Sequence, residues 1–214
     1  MKNDLTELVF ILDRSGSMAG LEKDTIGGFN SMIEGQKKQE GEALVTTVLF
    51  DHEQVRLHDR VSLSSVQPMT ENDYTVRGCT ALLDAVGDTV EHVADVHRYI
   101  RPEDVPARTM FVITTDGMEN ASRRFDGNAI KKLVEQKREE GWEFLFIGAN
   151  IDAIAAAGAI GIREDHAVNY RADSSGTRAV FRAVEKAARA MRACACVDAS
   201  WADEIKEDFK KKRK

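Results

Sequence analysis

Short runs of consecutive apolar residues constrain the fold of this chain more than any other feature. They span residues 8–12, 110–113 and 144–147, and none is longer than five residues. A membrane-spanning helix needs about 20 apolar residues, so these runs predict no membrane span. A short apolar run between polar residues is typical of a strand that is buried on both faces, as in a parallel sheet. The sequence therefore predicts a sheet that is covered on both sides.

Segments with helical patterning alternate with these strands. Apolar residues recur at helical spacing in residues 21–38, 80–99 and 128–140, and further helices are predicted at 151–157, from 174 to about 193, and after 198. The predicted strands are residues 5–13, 43–50, 54–63, 108–116, 143–148 and 167–170. Strands that alternate with helices in this way predict an α/β fold with helices on both faces of the sheet.

One pair of predicted strands is separated by a very short connection. Only Asp51, His52 and Glu53 lie between residues 43–50 and residues 54–63. A parallel crossover needs roughly a dozen residues or more, so these two strands must be antiparallel neighbours. The second strand alternates apolar and polar residues, which is typical of an edge strand with one solvated face. The predicted sheet is therefore mixed.

Charge and cysteine content narrow the classes of function. The net charge is −6, but the last five residues are all basic, and without them 25 basic residues face 36 acidic ones, a net charge of −11. An acidic body is a poor match for a phosphate backbone, so nucleic-acid binding by the main domain is not expected. The three cysteines form no disulfide framework, and the acidic N-terminal residues do not resemble a secretory signal. We therefore expect a cytoplasmic protein.

Oxygen-bearing side chains follow the ends of two predicted buried strands. Asp13, Ser15 and Ser17 follow the first strand, Asp116 ends the strand at 108–116, and Thr80 precedes the long helix. In open α/β sheets, ligands collect at the carboxyl ends of the strands. Carboxylates and hydroxyls without clustered histidine or thiolate suit Mg²⁺ or Mn²⁺ and are poor ligands for zinc or copper. Each residue alone could instead be a helix cap or a turn residue.

At these residues the chain resembles the von Willebrand factor A domain family and its metal-ion-dependent adhesion site. That site is an Asp-x-Ser-x-Ser motif followed by a distant Thr and a distant Asp, matched here by Asp13, Ser15, Ser17, Thr80 and Asp116. Residues 10–18 and 78–85 look like the corresponding segments of intracellular bacterial members. The resemblance implies a doubly wound, Rossmann-like mixed sheet of strand order 3-2-1-4-5-6 with strand 3 antiparallel.

The resemblance also implies how the site works. Ser15, Ser17 and Thr80 would ligate the ion directly, the two aspartates would act partly through water, and an Asp or Glu of a protein partner would complete the coordination. The predicted function is therefore a metal-dependent protein-binding module rather than an enzyme. The alternative is a Mg²⁺-dependent phosphohydrolase with Asp13 as nucleophile, but Ser15 stands where its second carboxylate would be expected, so a proton-transfer group is missing. Whether the metal is Mg²⁺, Mn²⁺ or Ca²⁺, and the oligomeric state, stay open.

Other features of the sequence carry weaker predictions. Glu119 and Asn120 could line the rim of the site, although a solvated loop is the simpler interpretation. Cys79 is expected to be a small buried thiol. Cys194 and Cys196 could bind a soft metal, but two thiols without further ligands are more often ordinary helix-face residues.

The predicted domain organisation divides the chain near residue 192. Residues 1–192 form the predicted domain, and residues 193–214 form a C-terminal extension with a basic tail. Trp201, Ile205 and Phe209 recur every four residues in the extension. They could bind a partner or pack back onto the domain.

Overall fold

A computed structural model describes residues 2–194 and 196–211 of the chain. Residues 212–214, which belong to the predicted basic tail, lie outside the described residues. Among the helices of the described ranges, none combines the length and the apolar character that a membrane span requires.

The protein is built on a six-stranded mixed sheet. Its strands are β1 Lys2–Asp13, β2 Ala43–Phe50, β3 Gln54–Ser62, β4 Pro106–Thr115, β5 Glu143–Gly148 and β6 Ala167–Asn169. They lie in the order β3-β2-β1-β4-β5-β6, and every neighbouring pair is parallel except β2 and β3. The predicted strand order and the antiparallel third strand are therefore confirmed.

Helices cover both faces of the sheet. They are α1 Glu22–Lys37, α2 Leu82–Tyr99, α3 Gly127–Glu139, α4 Ala153–Ala159, α5 Ser174–Cys194 and α6 Asp203–Lys210. Short 3₁₀ turns lie at Gly16–Met18, Leu63–Ser65, Pro102–Asp104 and Glu164–His166. The helices follow the predicted segments, with boundaries that differ by a few residues.

The central strand β1 shows why the apolar runs are continuous. Leu8, Phe10 and Leu12 face a buried cluster that includes residues of α1 and α5. Val9 and Ile11 face the opposite cluster, which includes residues of α2 and α3. Because successive side chains of a strand point to opposite faces, a strand between two helical layers must be apolar at every position.

The strand order places the carboxyl ends of β1 and β4 side by side. β1 pairs with β2 on one side and with β4 on the other, and Leu12 lies opposite Thr114. The connections from these neighbouring strands run in opposite directions along the sheet, and ligands of open α/β sheets bind where this reversal occurs. Loops that follow β1 and β4 therefore meet at the switch point of the sheet.

The edge hairpin contains a buried histidine, which predicts an acid-sensitive step in stability. His58 of β3 stacks on Phe29 and lies 3.1 Å from the Thr47 hydroxyl. Burial lowers the pKa of His58 below the usual 6.5. A lowered pKa means that the unfolded chain takes up the proton first, so stability falls as the pH drops below about 6.5.

We expect His58→Asn, whose side-chain amide can replace the Nδ1 contact, to remove part of this loss. Urea unfolding midpoints of the native protein and the variant, measured above and below about pH 6.5, check this. Identical pH slopes for the two proteins would contradict it.

The C-terminal segment packs onto the main body. Trp201 and Ile205 are buried in the same cluster as the residues of α1 and α5, whereas Phe209 is 50% exposed. The Trp201 indole donates a hydrogen bond to the carbonyl of Asp165 at 3.0 Å. Two of the three apolar residues of the predicted extension thus contribute to the core.

Candidate metal centre

The loop after β1 brings Asp13, Ser15 and Ser17 to the carboxyl edge of the sheet. The Ser15 backbone N–H donates to Asp13 Oδ1 at 2.6 Å, which turns the chain sharply at the end of the strand. The 3₁₀ turn at Gly16–Met18 follows, and it places the Ser15 and Ser17 hydroxyl oxygens 3.1 Å apart. The first half of the predicted site is therefore formed by one tight loop.

Asp116 joins this loop from the end of β4. The Ser17 hydroxyl donates a hydrogen bond to Asp116 Oδ1. The other oxygen, Oδ2, is buried and has no hydrogen-bond partner among the described residues. A buried carboxylate oxygen without a partner is costly, because its lone pairs have lost water and gained nothing in exchange. It points to a ligand that is cationic or donates hydrogen bonds.

Thr80 is held at the same place by its backbone. Its N–H donates to the Asn120 side-chain oxygen at 2.9 Å, and the Asn120 N–H donates to the Thr80 carbonyl at 3.0 Å. A β-carbon added to Gly117 would lie 3.2 Å from both the Ser17 and the Thr80 hydroxyl oxygens. A larger residue at 117 would therefore crowd these two oxygens. All five predicted residues surround one small volume.

The electrostatics of the site disfavour two ionised carboxylates on their own. Asp13 and Asp116 are each 1% exposed, and within the described ranges neither pairs with a Lys, Arg or His. Burial raises the pKa of Asp13, although its hydrogen bonds from Thr115 and Ser15 partly offset this. Burial also raises the pKa of Asp116, and the nearby Asp13 charge adds to the increase. A cation between them would stabilise both charged forms.

The donor set fits a hard divalent cation. It consists of carboxylate and hydroxyl oxygens, which suit Mg²⁺ or Mn²⁺. The unpartnered Asp116 Oδ2, the raised pKa values of both aspartates and the small residue at Gly117 all agree with a bound cation. Of the five residues, Ser17 is exposed and the others are buried, so the site opens to solvent on the side of Ser17.

Two supporting residues, Thr115 and Tyr74, were not identified from the sequence, and a third, Asn120, was predicted only as a possible rim residue. Thr115 Oγ1 donates to Asp13 Oδ2 at 2.6 Å, Tyr74 donates its hydroxyl proton to the Asp13 carbonyl, and Asn120 holds the Thr80 backbone. Thr115 directly precedes Asp116, so its place at the strand end was a usable signal. Tyr74 lies in an irregular loop, and no pattern in the sequence connects it to the site.

The sequence also carried predictions for Glu119 and Cys79, which lie in the loops at the carboxyl edge of the sheet. The Glu119 carboxylate accepts hydrogen bonds from the N–H groups of Leu83, Ala121 and Ser122, so it ties its own loop to the start of α2. The prediction that Cys79 is buried is wrong, because its thiol is exposed.

The geometry of Asp13 does not favour the phosphohydrolase alternative. Both carboxylate oxygens accept hydrogen bonds, from the Ser15 N–H and from the Thr115 hydroxyl. The residue is also almost fully buried. An attacking carboxylate must reach the phosphorus of its substrate, and the burial of Asp13 leaves little room for that approach.

A second acidic group lies beside the site but is already neutralised. Asp51, His52 and Glu53 bring their ligand atoms close together in the β2–β3 turn. Asp51 Oδ2, however, lies 3.0 Å from Arg14 Nε and 3.0 Å from Arg77 Nε. Its other oxygen accepts a hydrogen bond from the Glu53 N–H at 2.7 Å. This group is an ion-pair network that anchors the loops around the site.

Known proteins that are similar to this chain are found by comparing structures and not by comparing sequences. No protein-family model and no curated protein matches the sequence. The manganese-loaded TRAP protein of Plasmodium vivax has 18% identity and a TM-score of 0.57, with 85% of this chain and 73% of that chain covered. The vWF domain of the type V pili tip protein Mfa5 from Porphyromonas gingivalis has 11% identity and a TM-score of 0.58, with 85% and 95% covered.

A third structure is proximal thread matrix protein 1 from the mussel byssus, solved with a zinc-occupied MIDAS motif. It has 16% identity and a TM-score of 0.58, with 86% of this chain covered. The present chain spans 46% of the mussel protein's length. At such identities these similarities concern the fold.

Proposed function

We propose, from the premise that this chain has the von Willebrand factor A fold, that it is a metal-dependent protein-binding module. The observation that carries the proposal is the buried, unpartnered Oδ2 of Asp116 next to the exposed Ser17 hydroxyl. A cation would satisfy the first, and the exposure of the second supports a position for that cation at the surface. One of the similar structures is described as manganese-loaded, and another as having a zinc-occupied MIDAS motif.

The proposed ion is Mg²⁺ or Mn²⁺, held by oxygen atoms from three loops. Its proposed ligands, directly or through water, are Asp13, Ser15, Ser17, Thr80 and Asp116. A bound ion supplies a Lewis-acidic centre that can accept one further anionic oxygen. The three hydroxyls add no formal charge, so the two aspartates only just neutralise a divalent ion. With so few anionic ligands the ion would stay Lewis-acidic, and it would therefore bind a carboxylate of a protein partner.

The residues around the proposed ion have distinct tasks. Thr115 and the Ser15 N–H fix both oxygens of Asp13, so this carboxylate stays in one orientation. Asn120 fixes the backbone of Thr80, and Ser17 bridges the two loops through Asp116. A site held in this way needs little rearrangement on binding, which lowers the entropy cost of forming a complex.

Met118 gives the proposed binding surface an apolar contact beside the ion. It follows Gly117 in the loop after β4, and its side chain is 74% exposed. We propose that a partner inserts an Asp or Glu toward the ion and packs an apolar side chain on Met118.

We also propose that the protein is cytoplasmic and that its main domain does not bind nucleic acid. Its three cysteines are unpaired.

Selection of peptides in the presence of the metal tests this function. A random peptide library is bound to the protein in Mg²⁺ buffer and eluted with EDTA. We expect the eluted peptides to share an Asp or Glu whose replacement by Asn or Gln abolishes binding. Ser15→Ala should lose both the metal and the peptides. Met118→Asp should keep Mg²⁺ affinity but weaken peptide binding about tenfold, because a buried methionine contact is lost.

The matched control is Asp152→Asn. Asp152 caps α4, where its side chain accepts a hydrogen bond from the Ala155 N–H, and Asn caps a helix equally well. This variant should bind metal and peptides as the native protein does. Peptides that bind equally well in EDTA, or that need no acidic residue, would refute the proposal.

A further inference from the structure

Two exposed thiols lie in contact at the end of α5, far along the chain from the metal centre. Cys194 is the last residue of α5, and Cys196 follows two positions later. Their sulfur atoms are 3.1 Å apart. A disulfide bond needs about 2.0 Å, so the two sulfurs need to approach by only about 1 Å.

We propose that Cys194 and Cys196 form a reversible intramolecular disulfide by exchange with a low-molecular-weight disulfide such as glutathione disulfide. This inference is independent of the proposed binding function. The proposal assigns a modification site to these two cysteines. The oxidant of the reaction is a small disulfide that reaches the surface of the protein.

The exchange balances in two steps. The Cys194 thiolate attacks one sulfur of the small disulfide, so a mixed disulfide forms and one small thiolate leaves. The Cys196 thiolate then attacks the Cys194 sulfur of the mixed disulfide and expels the second small thiolate. The two protein thiols are oxidised, the small disulfide is reduced to two thiols, and the two protons end on those thiols.

The surroundings assign the roles of the two sulfurs. Hydrogen bonding with Cys194 raises the pKa of Cys196, and the negative charges of Asp198 and Glu143 add to the increase. The raised pKa lowers the thiolate fraction of Cys196, so Cys196 suits the second, intramolecular step, in which the high local concentration of the mixed disulfide compensates for a low thiolate fraction.

Within the part of the chain that the structure describes, no third metal ligand joins the two thiols. Two thiolates are half of a tetrahedral zinc site, so two more ligands would be needed. The acids that act on Cys196 are already engaged. Asp198 Oδ1 accepts a hydrogen bond from the Ser200 N–H at 2.6 Å, and Glu143 Oε2 lies 3.2 Å from His166 Nδ1. The geometry therefore favours a bond between the sulfurs over a shared metal.

The disulfide would act as a chemical modification more than as a structural crosslink. The loop that it closes contains only one residue between the two cysteines, and crosslinks of short loops remove little entropy from the unfolded chain. We therefore expect the thermal midpoints of the reduced and oxidised proteins to be similar.

Alkylation and mass spectrometry of the full chain test the proposal. The reduced protein is incubated with glutathione disulfide, quenched with N-ethylmaleimide and digested with trypsin, which cuts after Arg192 and Lys206 and leaves both thiols in one peptide. We expect that peptide to lose two hydrogens and to escape alkylation, while reduction restores both thiols. Cys196→Ser should instead accumulate a mixed disulfide with glutathione at Cys194.

Cys79→Ser serves as the control, because its remaining two cysteines should close the disulfide as in the native protein. Alkylation of both Cys194 and Cys196 after full equilibration with glutathione disulfide would overturn the proposal. So would a product that links two chains. Protection of the pair by Zn²⁺ that is reversed by a chelator, without loss of the two hydrogens on oxidation, would show a metal site instead.

Discussion

Asp13→Asn is expected to lower the affinity for Mg²⁺ or Mn²⁺ by about 100-fold and to stabilise the metal-free protein. The loss of affinity follows from removing one of the two negative charges that the proposed ion needs, and changes of supporting metal-site groups already cost 10–100-fold. The stabilisation follows from removing a buried charge. Burial raises the pKa of Asp13, so its ionised form disfavours folding at neutral pH unless a cation is bound.

The variant should keep the local structure because an amide can make the same hydrogen bonds. Its oxygen can accept from the Ser15 N–H, and its NH₂ group can donate to the Thr115 hydroxyl, which would turn its own proton toward the Gly117 carbonyl, 3.2 Å away. We therefore expect the metal-free free energy of unfolding to rise at neutral pH, because the variant no longer buries an ionised carboxylate.

Two measurements separate these effects. Calorimetric titration with Mn²⁺ gives the affinity, and urea unfolding in EDTA gives the metal-free stability. In excess Mg²⁺ the order should reverse, with the native protein more stable than the variant, because only the native protein gains from the bound ion. Asp152→Asn should match the native protein in both measurements. Unchanged Mn²⁺ affinity in Asp13→Asn would remove Asp13 from the site.

Trp201→Ala is expected to lower the free energy of unfolding by about 3–5 kcal/mol, the usual cost of removing a large buried aromatic side chain. Trp201 is among the largest fully buried side chains of the protein. Its ring packs in the cluster shared by β1, α1 and α5, and its indole N–H donates to the carbonyl of Asp165. The truncation leaves both a cavity and an unpaired carbonyl.

The control for this prediction lies in the same C-terminal segment, in helix α6. Phe209→Ala removes a side chain that is half exposed, so the loss should be about 1 kcal/mol or less. Urea unfolding of the full chain measures both variants, and Mn²⁺ affinity of the folded protein should not change in either. If Trp201→Ala costs no more than Phe209→Ala, residues after 192 form an independent extension. A large cost makes them part of the main folding unit.

The strand pattern made most of the fold predictable from the sequence. The continuous run at residues 8–12 predicted a strand between two layers, and Leu8 and Val9 indeed face opposite clusters. The three residues between β2 and β3 allowed only an antiparallel pair. The full strand order was implied by the family resemblance, since periodicity alone does not say which strands are neighbours.

The candidate site was only partly predictable. The motif at Asp13, Ser15 and Ser17 is local, so its spacing is visible in the sequence. Thr80 and Asp116 were predicted because they bear oxygen atoms and lie at the ends of a helix and a strand. The structure brings both of them close to Ser17. That the five residues bind a metal remains a prediction, which the titrations above test.

By itself, the sequence determined which segments form strands and helices, that the sheet has helices on both faces, and that its third strand runs antiparallel. These properties follow from periodicity and from the length of connections, which are local. Only the tertiary structure decided that Asp116 Oδ2 is buried without a partner, that Asn120 supports the backbone of Thr80, and that Trp201 belongs to the core. Such properties depend on contacts between residues distant in the chain, and no local pattern encodes the burial or the hydrogen-bond partner of a single atom.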